Sequence, residues 1–168
     1  MTAEEVKRLL SLEPHPREGG WFIQTYAAEE TLSASAFADA RYTSSRRTST
    51  AIYYLLEPET FSEMHRLPSD EIFHFYAGDA VEMLQLLPDG GGKTIVIGNN
   101  LLQGQSPQVV VPHGVWQGSR LVEGGKWALL GCTVAPGFEY EDYDDASHDE
   151  LTSRWPTFKA QIQALTRF

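Results

Sequence analysis

Cysteine is nearly absent. The one thiol in 168 residues, Cys132, cannot form an internal disulfide, so the core must hold the fold together unaided. Cys132 sits inside the apolar run Trp127 to Ala135 and reads as a small buried hydrophobe rather than a nucleophile, a usage that suits the cytoplasm. No apolar run approaches the roughly 20 residues a membrane span needs. The first residues carry Glu4 and Glu5 where a secretory leader would carry basic residues, so a cytoplasmic location is expected. Positive charge is also scarce. Lys and Arg number 13 against 23 Asp and Glu, and the net charge of −10 repels nucleic-acid phosphates and anionic lipid. Neither nucleic acid nor membrane is therefore expected as a partner.

Short strands dominate what is present. The runs Trp21–Tyr26, Thr48–Leu56, Thr60–Arg66, Glu71–Tyr76, Val81–Leu87, Thr94–Ile97, Gln108–Val111, Trp116–Val122 and Trp127–Ala135 are rich in aromatic and β-branched residues. Turn chemistry at Pro68-Ser69-Asp70, Gly78-Asp79, Asp89-Gly90-Gly91-Gly92 and Pro112-His113-Gly114 separates several of them. Many short strands with almost no helix between them describe an antiparallel sandwich or barrel and exclude a parallel α/β fold. Helical patterns flank this region. Thr2 with Glu5 forms a capping box ahead of Val6, Leu9 and Leu10, and Ser147 with Glu150 repeats the signal. Pro156 then opens a pattern that places Phe158, Ile162 and Leu165 on one face. The chain is read as one all-β domain, 1–168, with its barrel core at about 18–143 and a helical segment at about 147–168 covering the outside. Ala27–Arg47 lacks periodicity and reads as a flap or partner-facing arm. Acids crowd between Glu139 and Glu150, which reads as a solvated face.

Candidate chemistry gathers in two stretches. In Phe61–Gly78, strand alternation puts Glu63 and His65 on one face, and Glu71 can point from the next strand toward the same interior. His74 falls on the opposite face from Glu71, Phe73 and Phe75. In Val109–Gln117, the turn at Pro112-His113-Gly114 delivers Gln117 at the start of a strand. An inward carboxylate such as Glu71 must be paired, neutralised or solvated, and a ligand is one way to achieve that.

At these residues the chain resembles the cupin superfamily. Glu71 to Gly78 fits a Glu-x6-Gly spacing, and Pro112 with Gly114 fits the turn of a second motif. The strings His15-Pro16 with Glu18-Gly19-Gly20-Trp21-Phe22, Thr50 to Leu56, Ser69-Asp70-Glu71, Trp116-Gln117 and Gly131 to Phe138 are similar to the family called cupin 5, from about Leu9 to Tyr143. This resemblance implies a double-stranded β-helix, or jelly-roll barrel, commonly a homodimer, with a small-molecule ligand held inside. The chain has Glu63 and Gln117 where metal-binding cupins usually carry histidines. The expectation is therefore no cofactor. If a metal bound, Glu63, His65, Glu71 and Gln117 would be its ligands, and so hard a set would suit Mn²⁺ or Mg²⁺.

His65 also sits where sugar-nucleotide epimerases of the superfamily carry a catalytic histidine. By that likeness His65 acts as base, with Glu71 or Glu63 orienting it, and a tyrosine acts from the other side. Tyr53, Tyr54 and Tyr76 lie on strands, but only one of the adjacent pair can face inward, and no matching tyrosine is assigned. Glu63, Gln117, Phe73, Tyr54, Trp116 and Arg46 make up the expected ligand-binding set, Arg46 because a guanidinium forks well onto phosphate or carboxylate. His15 and His113 occupy turns and His148 lies in the acidic stretch; none is assigned a role. The expected function is a barrel binding a small polar or acidic ligand, sugar-like or nucleotide-linked, with isomerase or epimerase activity. Two alternatives stay open, a non-catalytic binding protein and a divalent-metal-dependent oxygenase or lyase.

Overall fold

In the computed structural model, which describes residues 1–37 and 39–167, thirteen antiparallel strands form, nine of them at the runs read above and four as two-residue pieces not read from the sequence. Ala38 in the arm and Phe168 at the end of the helical segment lie outside the described residues. In chain order the strands begin with β1 (Glu13–Pro14), β2 (Trp21–Ala27), β3 (Thr31–Leu32), β4 (Arg46–Arg47) and β5 (Thr50–Leu56). They continue with β6 (Phe61–Arg66), β7 (Asp70–Gly78), β8 (Val81–Leu86) and β9 (Gly92–Ile97). The last four are β10 (Gln108–Val111), β11 (Trp116–Leu121), β12 (Ala128–Ala135) and β13 (Asp144–Asp145).

One sheet has the order β1-β2-β5-β12-β7-β10 and the other β13-β6-β11-β8-β9. From β5 to β8 each successive strand crosses to the opposite sheet, and β10, β11 and β12 do the same, which wraps the chain into the jelly roll. The inward faces meet in a core that includes Tyr54, Leu56, Phe73, Met83, Val109 and Leu130. This core fills one end of the barrel solidly.

Helices close the outside. In α1 (Ala3–Leu10) the capping box forms as read, with the Thr2 side chain accepting from the Glu5 N–H and the Glu5 carboxylate accepting from the Thr2 N–H at 2.7 Å. Val6 of α1 packs with Leu12 and Leu55 on the outer face of the first sheet. At the other end, Leu151 of α2 (His148–Arg154) and Ile162 of α3 (Lys159–Ala164) bury against Met64, Leu84, Leu86 and Trp116 outside the second sheet. Trp116 therefore belongs to this outer layer and not to a ligand site. Its neighbour Gln117 faces inward, because adjacent strand residues point to opposite faces.

The arm is more ordered than its sequence suggests. Thr31 and Leu32 pair with Arg47 and Arg46 as a small ribbon, with a 3₁₀ turn at Ala34–Ala36 between them. Gly131, on the sheet's outer face, lies against the ring of Tyr76, where an added Cβ would come within 2.6 Å of ring carbons. The glycine that ends the Glu71–Gly78 spacing has a backbone reason. Gly78 has φ of 94°, and a Cβ there would press on the Trp127 carbonyl oxygen and lie 2.9 Å from its ring. Replacing Gly78 by Ala should therefore lower stability in chemical denaturation by at least about 1 kcal/mol, whereas Gly124→Ala, with nothing near its Cβ, carries only the φ penalty.

Candidate functional site

Strand alternation breaks where β6 pairs with β11, and the site depends on that break. Gln117 pairs with His65, but Ser119 pairs with Ser62, so β6 carries one residue more than β11 between these two pairs. This is a β-bulge, and it shifts the facing of every residue beyond it. The released N–H groups find other partners, Glu63 donating to the Glu18 carbonyl at 2.9 Å and Met64 to the Leu165 carbonyl at 2.8 Å. As a result Ser62 and His65, three residues apart, are both fully buried on the inward side. Glu63 does not share the face of His65. Its carboxylate turns outward and accepts from the Arg167 N–H at 2.8 Å.

Three of the expected residues do meet. The Gln117 side-chain nitrogen lies 2.8 Å from Nε2 of His65 and 3.1 Å from Oε2 of Glu71. His65 Nδ1 is 2.7 Å from the Glu63 carbonyl, which can only accept, so the proton sits on Nδ1 and Nε2 receives the amide N–H. Both ring nitrogens are thus engaged. Tyr143 stacks on the same imidazole, with centroids 4.8 Å apart and planes 18° from parallel.

His65 and Glu71 line a cavity of about 310 Å³ at the unfilled end of the barrel. Ile52, Cys132 and Val134 from β5 and β12 form an apolar side of it, and burial together with the charges of Glu71 and Glu18 pushes the Cys132 thiol up. Arg47, whose side chain is exposed, stands at the mouth with Phe138 and Tyr140. Gln117 supports the site from behind and does not line the cavity.

Two further lining residues come from the β1–β2 hairpin loop, which sequence reasoning passed over as a turn. Gly19 and Gly20 have φ of 98° and 69°, conformations that side chains resist, and they fold Glu18 back over the barrel end. Nδ1 of His15 accepts the Glu18 N–H at 2.8 Å, leaving Nε2 to carry the proton 3.9 Å from the Glu18 carboxylate. Burial holds the His15 imidazole below its ordinary value, against the opposing pull of Glu18. Glu18 accepts from the Ser62 hydroxyl at 2.5 Å. The pairing of His15 with Glu18 was signalled only by the unusual run of Pro and Gly around them.

The other expected ligand residues lie elsewhere. Phe73 is fully buried in the solid core. Tyr54 is the inward member of its pair, but its hydroxyl donates to the Gly19 carbonyl at 2.8 Å and it does not line the cavity. Arg46 is neither a ligand residue nor exposed. Its side chain is 1% exposed and forks onto Asp142 at 2.8 and 2.6 Å, with Glu141 at 2.6 Å, tying the arm to the turn that follows β12. Nor do the four expected metal ligands form a shell. Glu63 is turned away, the Gln117 amide nitrogen occupies the point where His65 and Glu71 converge, and no group of three His, Cys, Asp or Glu side chains among the described residues could hold a cation.

The comparisons agree with this architecture. Residues 4–146 match the family described as Cupin superfamily (DUF985), that is, cupin 5. The chain belongs to this family. Among the relatives of this cupin, an uncharacterised protein of Saccharomyces cerevisiae is 30% identical over 134 residues, covering 76% of this chain and 67% of its own. A crystal structure of a Shewanella oneidensis protein superposes with a TM-score of 0.87 at 33% identity, covering 99% of this chain and 98% of that one. A hypothetical protein from Leishmania major superposes with a TM-score of 0.90 at 28% identity over the whole of both chains. Oxalate decarboxylase structures share the fold alone, at 12% identity and a TM-score of 0.54.

Glu71 gives the site a pH signature. Burial, then the charge of Glu18, push its carboxyl well above the usual range, opposed by the hydrogen bond from Gln117. A raised carboxyl keeps its proton in the fold after the unfolded chain has lost it, so stability falls as pH rises from the ordinary carboxylate value toward the folded one. Glu71→Gln keeps an acceptor for Gln117 and removes that slope. Its melting temperature should match the parent at acid pH and exceed it at neutral pH, and identical pH profiles would count against a protonated Glu71. For the buried ion pair, Arg46→Met strands the nearly buried Asp142 and should cost about 3 kcal/mol in denaturant unfolding.

Proposed function

We propose that this cupin binds a small polar molecule in the open end of its barrel. One observation carries the reading. The Tyr143 side chain lines the cavity and is buried, yet its hydroxyl has no hydrogen-bond partner among the described residues. A buried O–H left unmatched costs free energy that a bound acceptor recovers. The cavity volume suits a small ligand. His15, Glu18, His65 and Glu71 offer polar contacts at its depth. Arg47 pairs with no carboxylate among the described residues and can take an anionic substituent at the mouth.

An isomerase or epimerase is the second reading, favoured by His65 and Glu71 lining the cavity together, although Tyr143 stacks on the imidazole and does not face it across a guest. For His65 to accept a proton, Gln117 must first release Nε2. The two readings differ in the fate of the ligand. A thermal-shift screen of sugars, sugar phosphates, nucleotides and small carboxylates should find compounds that raise the melting temperature, because anything binding only the native state stabilises it. Mass analysis then separates binding from conversion. Tyr143→Phe should weaken a hit about five- to thirtyfold, and Arg47→Ala should weaken anionic hits more than their neutral counterparts. A screen that moves nothing overturns the proposal.

A further inference from the structure

The deep part of the cavity carries negative charge without a protein cation to balance it. Glu18 lines it beside Glu71, whose carboxyl burial and the charge of Glu18 favour in the protonated form, and Glu139 lines the same cavity as an exposed residue. Among the described residues no Lys or Arg side chain forms an ion pair with any of these three side chains, which leaves the Glu18 carboxylate without one. The Arg167 guanidinium donates to the Glu18 and Arg17 main-chain carbonyls, and its ion pair is with Glu63. Among the described residues His15 is the one charge partner of Glu18, at 3.9 Å, and burial disfavours its cationic form. The charge of Glu18 is felt throughout: it helps raise Tyr54, Glu71, Cys132, Tyr140 and Tyr143. A buried carboxylate in such a place requires a counter-charge.

The walls suit one kind of counter-charge. Phe22 lies 4.6 Å from His15 at 63°, His15 lies 6.4 Å from Tyr140 at 47°, and Tyr140 lies 5.3 Å from Phe138 at 78°. All four rings line the cavity. Aromatic faces attract cations through the ring quadrupole, and they favour an organic ammonium, whose carbon substituents pack against them, over a strongly hydrated metal ion. The unmatched Tyr143 hydroxyl supplies a donor for an oxygen elsewhere on the same guest.

We propose that the cavity recognises a small organic cation, an amine or alkylammonium that also bears hydroxyl or anionic oxygens, with its nitrogen beside Glu18 and among the rings of His15, Phe22, Phe138 and Tyr140. This rests on the reading that the cavity binds a small polar molecule, and it narrows the class. The guest is then dipolar, with its cationic nitrogen toward Glu18 and any anionic end toward Arg47.

Matched pairs test the inference. Titration calorimetry compares choline with its neutral isostere 3,3-dimethylbutan-1-ol, glucosamine with glucose, and glucosamine 6-phosphate with glucose 6-phosphate. At least one amine should bind about tenfold or more tightly than its uncharged partner. Glu18→Gln should abolish that preference while the neutral partner's affinity is kept, and Tyr140→Leu should reduce it. Far-UV circular dichroism and melting temperature establish that each variant folds. Should Glu18→Gln fail to fold, Glu18→Asp, which retains the charge but withdraws it, should lower the preference. Neutral partners that bind as well as the amines overturn this inference and leave the binding reading intact. Absence of binding by every compound, here and in the wider screen, overturns both.

Discussion

The extra residue in β6 is the constraint on which the site depends. With unbroken alternation, Glu63 and His65 would point together into the barrel, and Ser62 would face the helices outside. The bulge instead turns Ser62 and His65 inward and sends Glu63 out to Arg167. It is held from both sides, because the N–H groups it frees are taken by the Glu18 carbonyl in the β1–β2 loop and the Leu165 carbonyl after α3. The two ends of the chain thus meet at one irregularity in one strand.

A single barrel serves as solid core at one end and chamber at the other. Phe73, Tyr54 and Leu130 close the first end, and the same strands then offer Glu71, Ile52 and Cys132 to the second. This division sets the electrostatics. The filled half excludes water from beneath Glu71, so its carboxyl is desolvated from below and repelled by Glu18 nearby, with only the Gln117 amide in compensation. The arginines near the mouth are largely committed to architecture, Arg46 to Asp142 and Glu141, Arg66 to Asp144 and Arg17 to Asp145. The acidic stretch after β12, which reads as solvated charge, supplies these partners and brings Tyr140 and Tyr143 to the cavity wall.

The strand runs, the capping box of α1, the Ser147 cap of α2 and the inward face of Glu71 and Phe73 were legible because each is a local or period-two property. Gln117 was legible for the same reason: one position separates it from Trp116, and alternation alone assigns the two to opposite faces. Glu63 was misplaced because a bulge leaves no mark in residue type. His15 and Glu18 were missed because they lie far in sequence from β6 and β7, and nothing local says that a hairpin loop folds over the barrel end. Arg46 was misread because its partners stand almost a hundred residues away.

By itself, then, the amino-acid sequence determined the class of fold, its membership of the cupin family and the convergence of His65, Glu71 and Gln117, since periodicity and short-range turn chemistry are written residue by residue. Only the tertiary structure decided which carboxyl groups share the chamber, which tyrosine meets the imidazole and which arginine stands at the mouth without a carboxylate partner among the described residues. Those outcomes depend on a register shift and on contacts between distant segments, and the free energy that selects them exists only once the two sheets have closed on one another.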